Sequence, residues 1–289
     1  MFKTILVPLR GDDGDKPSLG TALAVASLFG GHIEVAHMQS RPRMLATAIG
    51  ANPAQIVSGL PSASALREYD EDSSRRARQQ YEKFCSAAKI RQTGTPHTRK
   101  AVSAAWVDQD GDTVEQVVRL GRRCDVVVLH AGLPGNGGFA PEEAGEIILS
   151  RGGPVILAPS RPPAKIARKI AIAWKDTPEI SATLSAAMPL LYQAAKIFVV
   201  SVSEQDAPAD PSVDDIVQRL RWHDLDAAAD RIKTRGSSPA VSLIKHVEKL
   251  GADLLVMGAY GRNRMHEFVF GSFTNQVLLG ASVAVFLSH

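Results

Sequence analysis

Cysteine is nearly absent: the 289 residues contain two, Cys85 and Cys124. They fall in different expected elements with no Cys-x2-Cys spacing, which excludes a zinc ribbon and a disulfide framework and suits a reduced, cytoplasmic setting. No apolar run approaches the roughly 20 residues that span a bilayer. The short run Thr4–Leu9 lacks the length and the small-residue cleavage site of a secretion signal, so neither membrane insertion nor secretion is expected. An excess of one charge is also missing. Lys and Arg number 33 against 30 Asp and Glu, a net charge of +3, too balanced for nucleic-acid binding by bulk electrostatics. The 8 histidines do not cluster, and His32 and His37 fall on opposite sides of one expected strand, so no metal site is expected. Gly-x4-Gly-Lys-Ser/Thr and Gly-x-Ser-x-Gly do not occur, which removes the P-loop and the nucleophile elbow. Gly135–Ala140 matches the loose pattern Gly-x-Gly-x-x-Ala, but it follows a fourth strand, and no acid lies between Ala158 and Lys165 to complete a dinucleotide fingerprint.

What is present is a soluble composition, 45% hydrophobic and 22% charged, on a chain long enough for two domains. Compact apolar runs alternate with amphipathic stretches. Ile5–Leu9 reads as a strand, Pro17–Phe29 as a helix stopped by Gly30-Gly31, and His32–Met38 as a second strand, a parallel crossover. Residues 40–61 are aperiodic and read as a loop or insertion. A helix follows over Ser64–Lys89, with Leu66, Tyr69, Ala77, Tyr81, Phe84, Cys85 and Ala88 on its inner stripe and Arg75, Arg76 and Arg78 solvated. Thr98–Val102 predicts a short strand, Asp112 a helix cap, Asp125–Leu129 a strand buried on both faces, Glu142–Ser150 a helix and Pro154–Ala158 a last strand. The first half thus reads as five strands and four helices.

Arg161-Pro162-Pro163-Ala164-Lys165 is a hinge, dividing the chain into domains at 1–160 and 166–289. The pattern then restarts. Strands are expected at Ile170–Trp174, Lys196–Val202, Ala227–Lys233, Asp253–Met257 and Ser282–Leu287, and helices at Thr177–Tyr192, at Asp210–Arg221 and after the Ser238-Pro239 cap. The halves read as copies. Arg10 aligns with Lys175 and Asp125 with Asp253, and the first copy is the longer. The fold class is therefore α/β: two tandem, doubly wound, five-stranded parallel sheets of Rossmann-like type.

The densest chemistry follows Asp253–Met257. Gly258, Gly261, Gly271 and Ser272 form Gly-x2-Gly-x9-Gly-Ser, a glycine-punctuated loop ending at a helix start. Glycines let backbone N–H groups approach an anion, and a helix N-terminus adds free amides and a positive dipole end. Arg262 adds charge suited to phosphate, and Ser272 and Thr274 offer hydroxyls. This loop, placed after the fourth strand of a repeated α/β unit, resembles the signature of ATP-binding universal stress proteins. The resemblance implies that ATP or another adenine nucleotide, with or without Mg2+, contacts Gly258, Gly261, Gly271, Ser272 and Thr274, with Met257, Tyr260 and Phe273 close by. It also implies two domains paired through their last strands in a pseudo-dimer, a homodimer as a further assembly, and a sensor or regulator with at most weak ATP hydrolysis. ATP-binding members of that family place an aspartate at the end of the first strand. Arg10 and Lys175 stand there instead, with Asp176 one residue on. In the first half Gly132, Gly135 and Gly145 keep the spacing, but Glu146 replaces the hydroxyl, so that loop reads as degenerate. The alternative is an interaction module of the same fold that binds no nucleotide.

Overall fold

The computed structural model describes residues 1–37, 63–95, 101–107, 113–132, 137–204, 208, 210–234, 236–259 and 272–288. The first part of the chain forms β1 (Thr4–Leu9), α1 (Asp15–Phe29), β2 (His32–His37), α2 (Ala63–Ala87), β3 (Arg91–Gln92), β4 (Ser103–Val107), α3 (Thr113–Gly121), β5 (Val126–Leu129), α4 (Pro141–Arg151) and β6 (Val155–Leu157). After the proline-rich connection come β7 (Lys169–Ala173), α5 (Pro178–Leu191), β8 (Lys196–Ser203), α6 (Ser212–Arg221), β9 (Ala227–Lys233), α7 (Pro239–Leu250), β10 (Leu254–Gly258), α8 (Ser272–Gly280) and β11 (Ala284–Ser288).

All eleven strands form one sheet, in the order β3-β4-β2-β1-β5-β6-β11-β10-β7-β8-β9. Within each half the pairs are parallel, and β6 meets β11 antiparallel, with Val155 opposite Leu287, Ile156 opposite Phe286 and Leu157 opposite Val285. Side chains alternate across the sheet, so each strand feeds two core layers. Ile5, Val7, Val126, Ile156, Ile170, Val256 and Phe286 pack with α1, α2, α5 and α6 on one face. Leu6, Val127, Val155, Leu255, Val285 and Leu287 pack with α3, α4, α7 and α8 on the other. Both layers run through the junction without a break. Phe2 stacks tilted on Phe286 at 6.0 Å between ring centroids, reaching across the junction from the amino terminus.

The duplication is visible in hydrogen bonds as well as in strand order. The Asp125 carboxylate accepts the amides of Lys3 and Thr4 at 2.6 and 2.9 Å, and the Asp253 carboxylate accepts the Arg168 amide at 3.0 and 3.1 Å. Each aspartate ties the start of its half's first strand to the strand beside it.

The first half departs from expectation at its outer edge. The strand expected at 98–102 is β4, at Ser103–Val107, and β3 adds a sixth, two-residue strand, whereas the second half has five. Alanines blur the signal of β4. Its register is set by β2, with His32 Nδ1 2.8 Å from the Ser103 hydroxyl, and by Trp106 packing on Tyr81 at 5.5 Å. The helix expected to reach Lys89 ends at Ala87, and Lys89 turns back with φ of 52°, which leaves Ala88 exposed instead of on the inner stripe. Residues 40–61 and Asp112 lie outside the described residues.

Phe286 is fully buried at the one place where the two halves share a ladder. Phe286→Ala is expected to lower the free energy of unfolding by about 3–5 kcal/mol, whereas Ile156→Val opposite it costs about 0.5–1.5 kcal/mol. Urea titration followed by far-UV circular dichroism measures both.

Candidate functional site

In an open parallel sheet the crevice for a ligand opens beyond the carboxyl ends of the strands, where the order reverses. The chain winds from β1 to β2 on one side and returns to β5 on the other, and it does the same from β7 to β8 and back to β10. Two crevices result, one at β1/β5 and one at β7/β10.

At β7/β10, Met257 pairs with Ala173, so Gly258 lies beside the end of β7, where Trp174, Lys175 and Asp176 follow. A Cβ on Gly258 would stand 2.8 Å from the Ile180 amide nitrogen, so glycine here lets the first turn of α5 close on β10. Lys175 and Asp176 are both exposed at the mouth. Met257 is 3% exposed, and its side chain belongs to the core layer under α7 and α8. In α8, which starts at Ser272, Phe273 is half-buried and Thr274 is buried. One residue on, the Asn275 Oδ1 atom is buried without a hydrogen-bond partner, an acceptor that a ligand's donor would satisfy. Tyr260, Gly261, Arg262 and Gly271 lie outside the described residues. Trp174 is a core residue. It is 5% exposed, and its Nε1 donates to the Ser212 hydroxyl at 2.8 Å, which in turn donates to Asp210 at 2.6 Å. This chain pins the end of β7 to the start of α6.

At β1/β5 the crevice is filled by the protein's own side chains. Arg10 pairs with Glu143 of α4 and lies with Cζ 5.1 Å above the Phe139 ring, which is itself buried. The Asp12 carboxylate accepts the Gly138 amide at 2.9 and 3.0 Å and the Gly14 amide at 2.8 Å. With Asp125 and Asp253 aligned, His130 stands where Gly258 does, and its Nδ1 lies 2.8 Å from the Ala158 carbonyl. From α2, Arg76 donates to the Gly11 carbonyl at 2.8 Å and Gln80 to the Asp12 carbonyl at 3.2 Å. Arg76 therefore has a structural bond, where its sequence position reads as a solvated face. The carboxylates that bond across this crevice, to or from the 138–143 segment, are Asp12, at the Gly138 amide, and Glu143, at Arg10, with Glu146 further along α4. The sequence patterns singled out neither Asp12 nor Asp15. An acid next to a helix start is the signal that marks them.

Asp15 is buried, and its two oxygens accept the Arg10 and Gly11 amides, each at 2.9 Å. Burial outweighs those bonds, and the nearby Asp12 charge adds to it, so the carboxyl is pushed up from 3.8 to about 7. His37 moves the other way: burial and then the Arg76 charge lower its pKa and keep the ring neutral beside Ser73. Among the described residues no group of His, Cys, Asp or Glu could hold a metal ion, and no helix is long and apolar enough to cross a membrane.

Fold and crevices together define a tandem doubly wound α/β protein with two unlike copies of one crevice. Residues 168–289 match the model of the universal stress protein family, so the second half is a universal stress protein domain, and the chain carries it in a tandem arrangement. The whole chain is similar in fold to a universal stress protein from Archaeoglobus fulgidus DSM 4304, at TM-score 0.70 and 13% identity, covering 99% of this chain and 95% of that one. It is also similar to a functionally unknown protein from Pseudomonas aeruginosa PAO1, at TM-score 0.55 and 14% identity, covering 99% and 92%. A search of curated proteins returns no match.

Two outcomes are expected. Gly258→Ala forces a methyl against the α5 backbone at 2.8 Å and lowers stability by about 1–3 kcal/mol, whereas Gly94→Ala, with open space around it, stays within about 0.5 kcal/mol; thermal unfolding compares them. For Asp15 the folded pKa is raised above the unfolded one, so its contribution is fully present below about pH 4 and is lost as pH rises through about 7. Asp15→Asn is expected to flatten the stability profile between those limits, read from urea midpoints across pH.

Proposed function

We propose that the second half binds ATP or another adenine nucleotide, with or without Mg2+, at the β7/β10 crevice, and that the protein acts as a nucleotide-responsive sensor or regulator. The observation that carries this reading is Gly258: a glycine at the carboxyl end of the switch strand, seated on the first turn of α5, in the half that matches the universal stress protein family. The residues proposed to contact the ligand are Met257 through its backbone, Gly258, Tyr260, Gly261, Arg262, Gly271, Ser272, Phe273 and Thr274, with Lys175 and Asp176 at the mouth. The donor set fits the group: glycine amides and hydroxyls for phosphate oxygens, and the unpartnered Asn275 oxygen for a ligand N–H or O–H. No residue is assigned a catalytic role, so any hydrolysis is slow. Domains 1–160 and 166–289 act as a pseudo-dimer through β6 and β11, a homodimer is the larger assembly proposed, and the setting is cytoplasmic.

A second reading rests on Trp174 and Lys175. The indole is locked into the core by Ser212, and a cation stands at the mouth, which suits an interaction module that has given up adenosine recognition. Isothermal titration with ATP separates the two. Heat of binding that weakens roughly 5–150-fold in Ser272→Ala, the loss of about 1–3 kcal/mol for one buried hydrogen-bonding partner, supports the first reading. No heat, and no nucleotide released when the purified protein is denatured, supports the second.

A further inference from the structure

The crevice at β1/β5 has the topology of a ligand position, yet the loop that borders it is turned onto the chain itself. Gly137 and Gly138 have φ of 75° and 85°, consecutive left-handed residues that only glycine adopts readily. That conformation aims the Gly138 N–H into the crevice, where both oxygens of Asp12 receive it, at 2.9 and 3.0 Å. The two loops are in contact: a Cβ on Gly14 would stand 2.5 Å from the Gly138 nitrogen, and one on Gly137 would stand 2.6 Å from the Gly14 nitrogen. The Asp12 Oδ1 atom also takes the Gly14 amide, so one carboxylate draws on amides from both walls. Arg10 is held by Glu143 and lies on Phe139, and α2 covers the turn through Arg76 and Gln80.

A carboxylate bound by converging backbone amides at the carboxyl end of a switch strand is what a phosphate oxygen would otherwise be. We propose that Asp12 is an internal anion that occupies and closes the first crevice, an autoinhibitory contact that leaves the second of the two crevices as the position open to a phosphate-bearing ligand. Asp12 and Glu143 do this together: the first fills the amide position, and the second neutralises the cation that would attract a phosphate. The statement about the second crevice rests on the nucleotide-binding reading above. The statement about Asp12 does not.

The test uses inorganic phosphate and the full-length protein, with the Gly138 amide followed by 15N NMR. In the wild type that amide is expected to exchange with solvent at least about tenfold more slowly than an open loop amide, as a hydrogen-bond free energy near 1.5 kcal/mol requires, and its resonance is expected to stay fixed as phosphate is added. In Asp12→Ala the protection is lost and the resonance moves saturably with phosphate. Asp13→Ala removes the same charge one residue away and is expected to behave as the wild type. A wild-type Gly138 amide that exchanges freely or responds to phosphate overturns the proposal, and so does an Asp12→Ala resonance that phosphate does not move. The exchange measurement stands on the wild type alone, so a variant that fails to fold leaves it decisive. With ATP, two nucleotides bound per wild-type chain also overturn it. A chain that binds none refutes the nucleotide reading and leaves the Gly138 result to judge Asp12.

Discussion

Three antiparallel residue pairs between β6 and β11 hold the architecture together, because they are where two parallel half-sheets, each with an exposed edge, become one sheet. An edge strand with unpaired amides and carbonyls is a site for unwanted pairing, and pairing the two edges removes both from solvent. The side chains there are apolar on both faces, so the same contact joins the two core layers across the chain. Removing a large group at this seam affects both halves at once, whereas a cavity further out affects one.

Each half presents a crevice at its switch point, but the two differ in what occupies the end of the switch strand. Gly258 leaves β10 open for the approach of α5, while His130 at the matching place hydrogen-bonds the Ala158 carbonyl and packs against Gly138. Arg10 then pairs with Glu143 over Phe139, and Asp12 takes the amide of the preceding residue, Gly138. The cost of burying those charges is offset by their pairing and by backbone amides, which is the condition under which buried charge is tolerated. Asp15, raised to about 7, shows what happens when amide bonds do not fully offset burial.

Much of this was legible in the chain. The alternation of apolar runs with helical stripes located the strands of the second half nearly to the residue, and β9 spans Ala227–Lys233 as its pattern predicts. The strands at the outer edge of the first half were less legible. β4 is built from Ser, two Ala, Trp and Val, and its place is set by pairing with β2 and not by its own composition. The arginines of α2 read as solvated from helical spacing, and Arg78 does pair with its neighbour Glu82, but Arg76 reaches a carbonyl in a turn far away in sequence.

The sequence by itself determined that the chain repeats an α/β unit, that glycines at Gly-x2-Gly-x9-Gly-Ser spacing accompany the end of its switch strand in the second half, and that the first half differs there. Those properties are local: they depend on periodicity, on glycine, and on spacing along one stretch. Only the tertiary structure decided what the difference is. Asp12 meets Gly138, and Arg10 meets Glu143, across more than a hundred residues of chain. Contacts at that separation are set by strand order and crossover geometry, and no pattern within either segment encodes its partner.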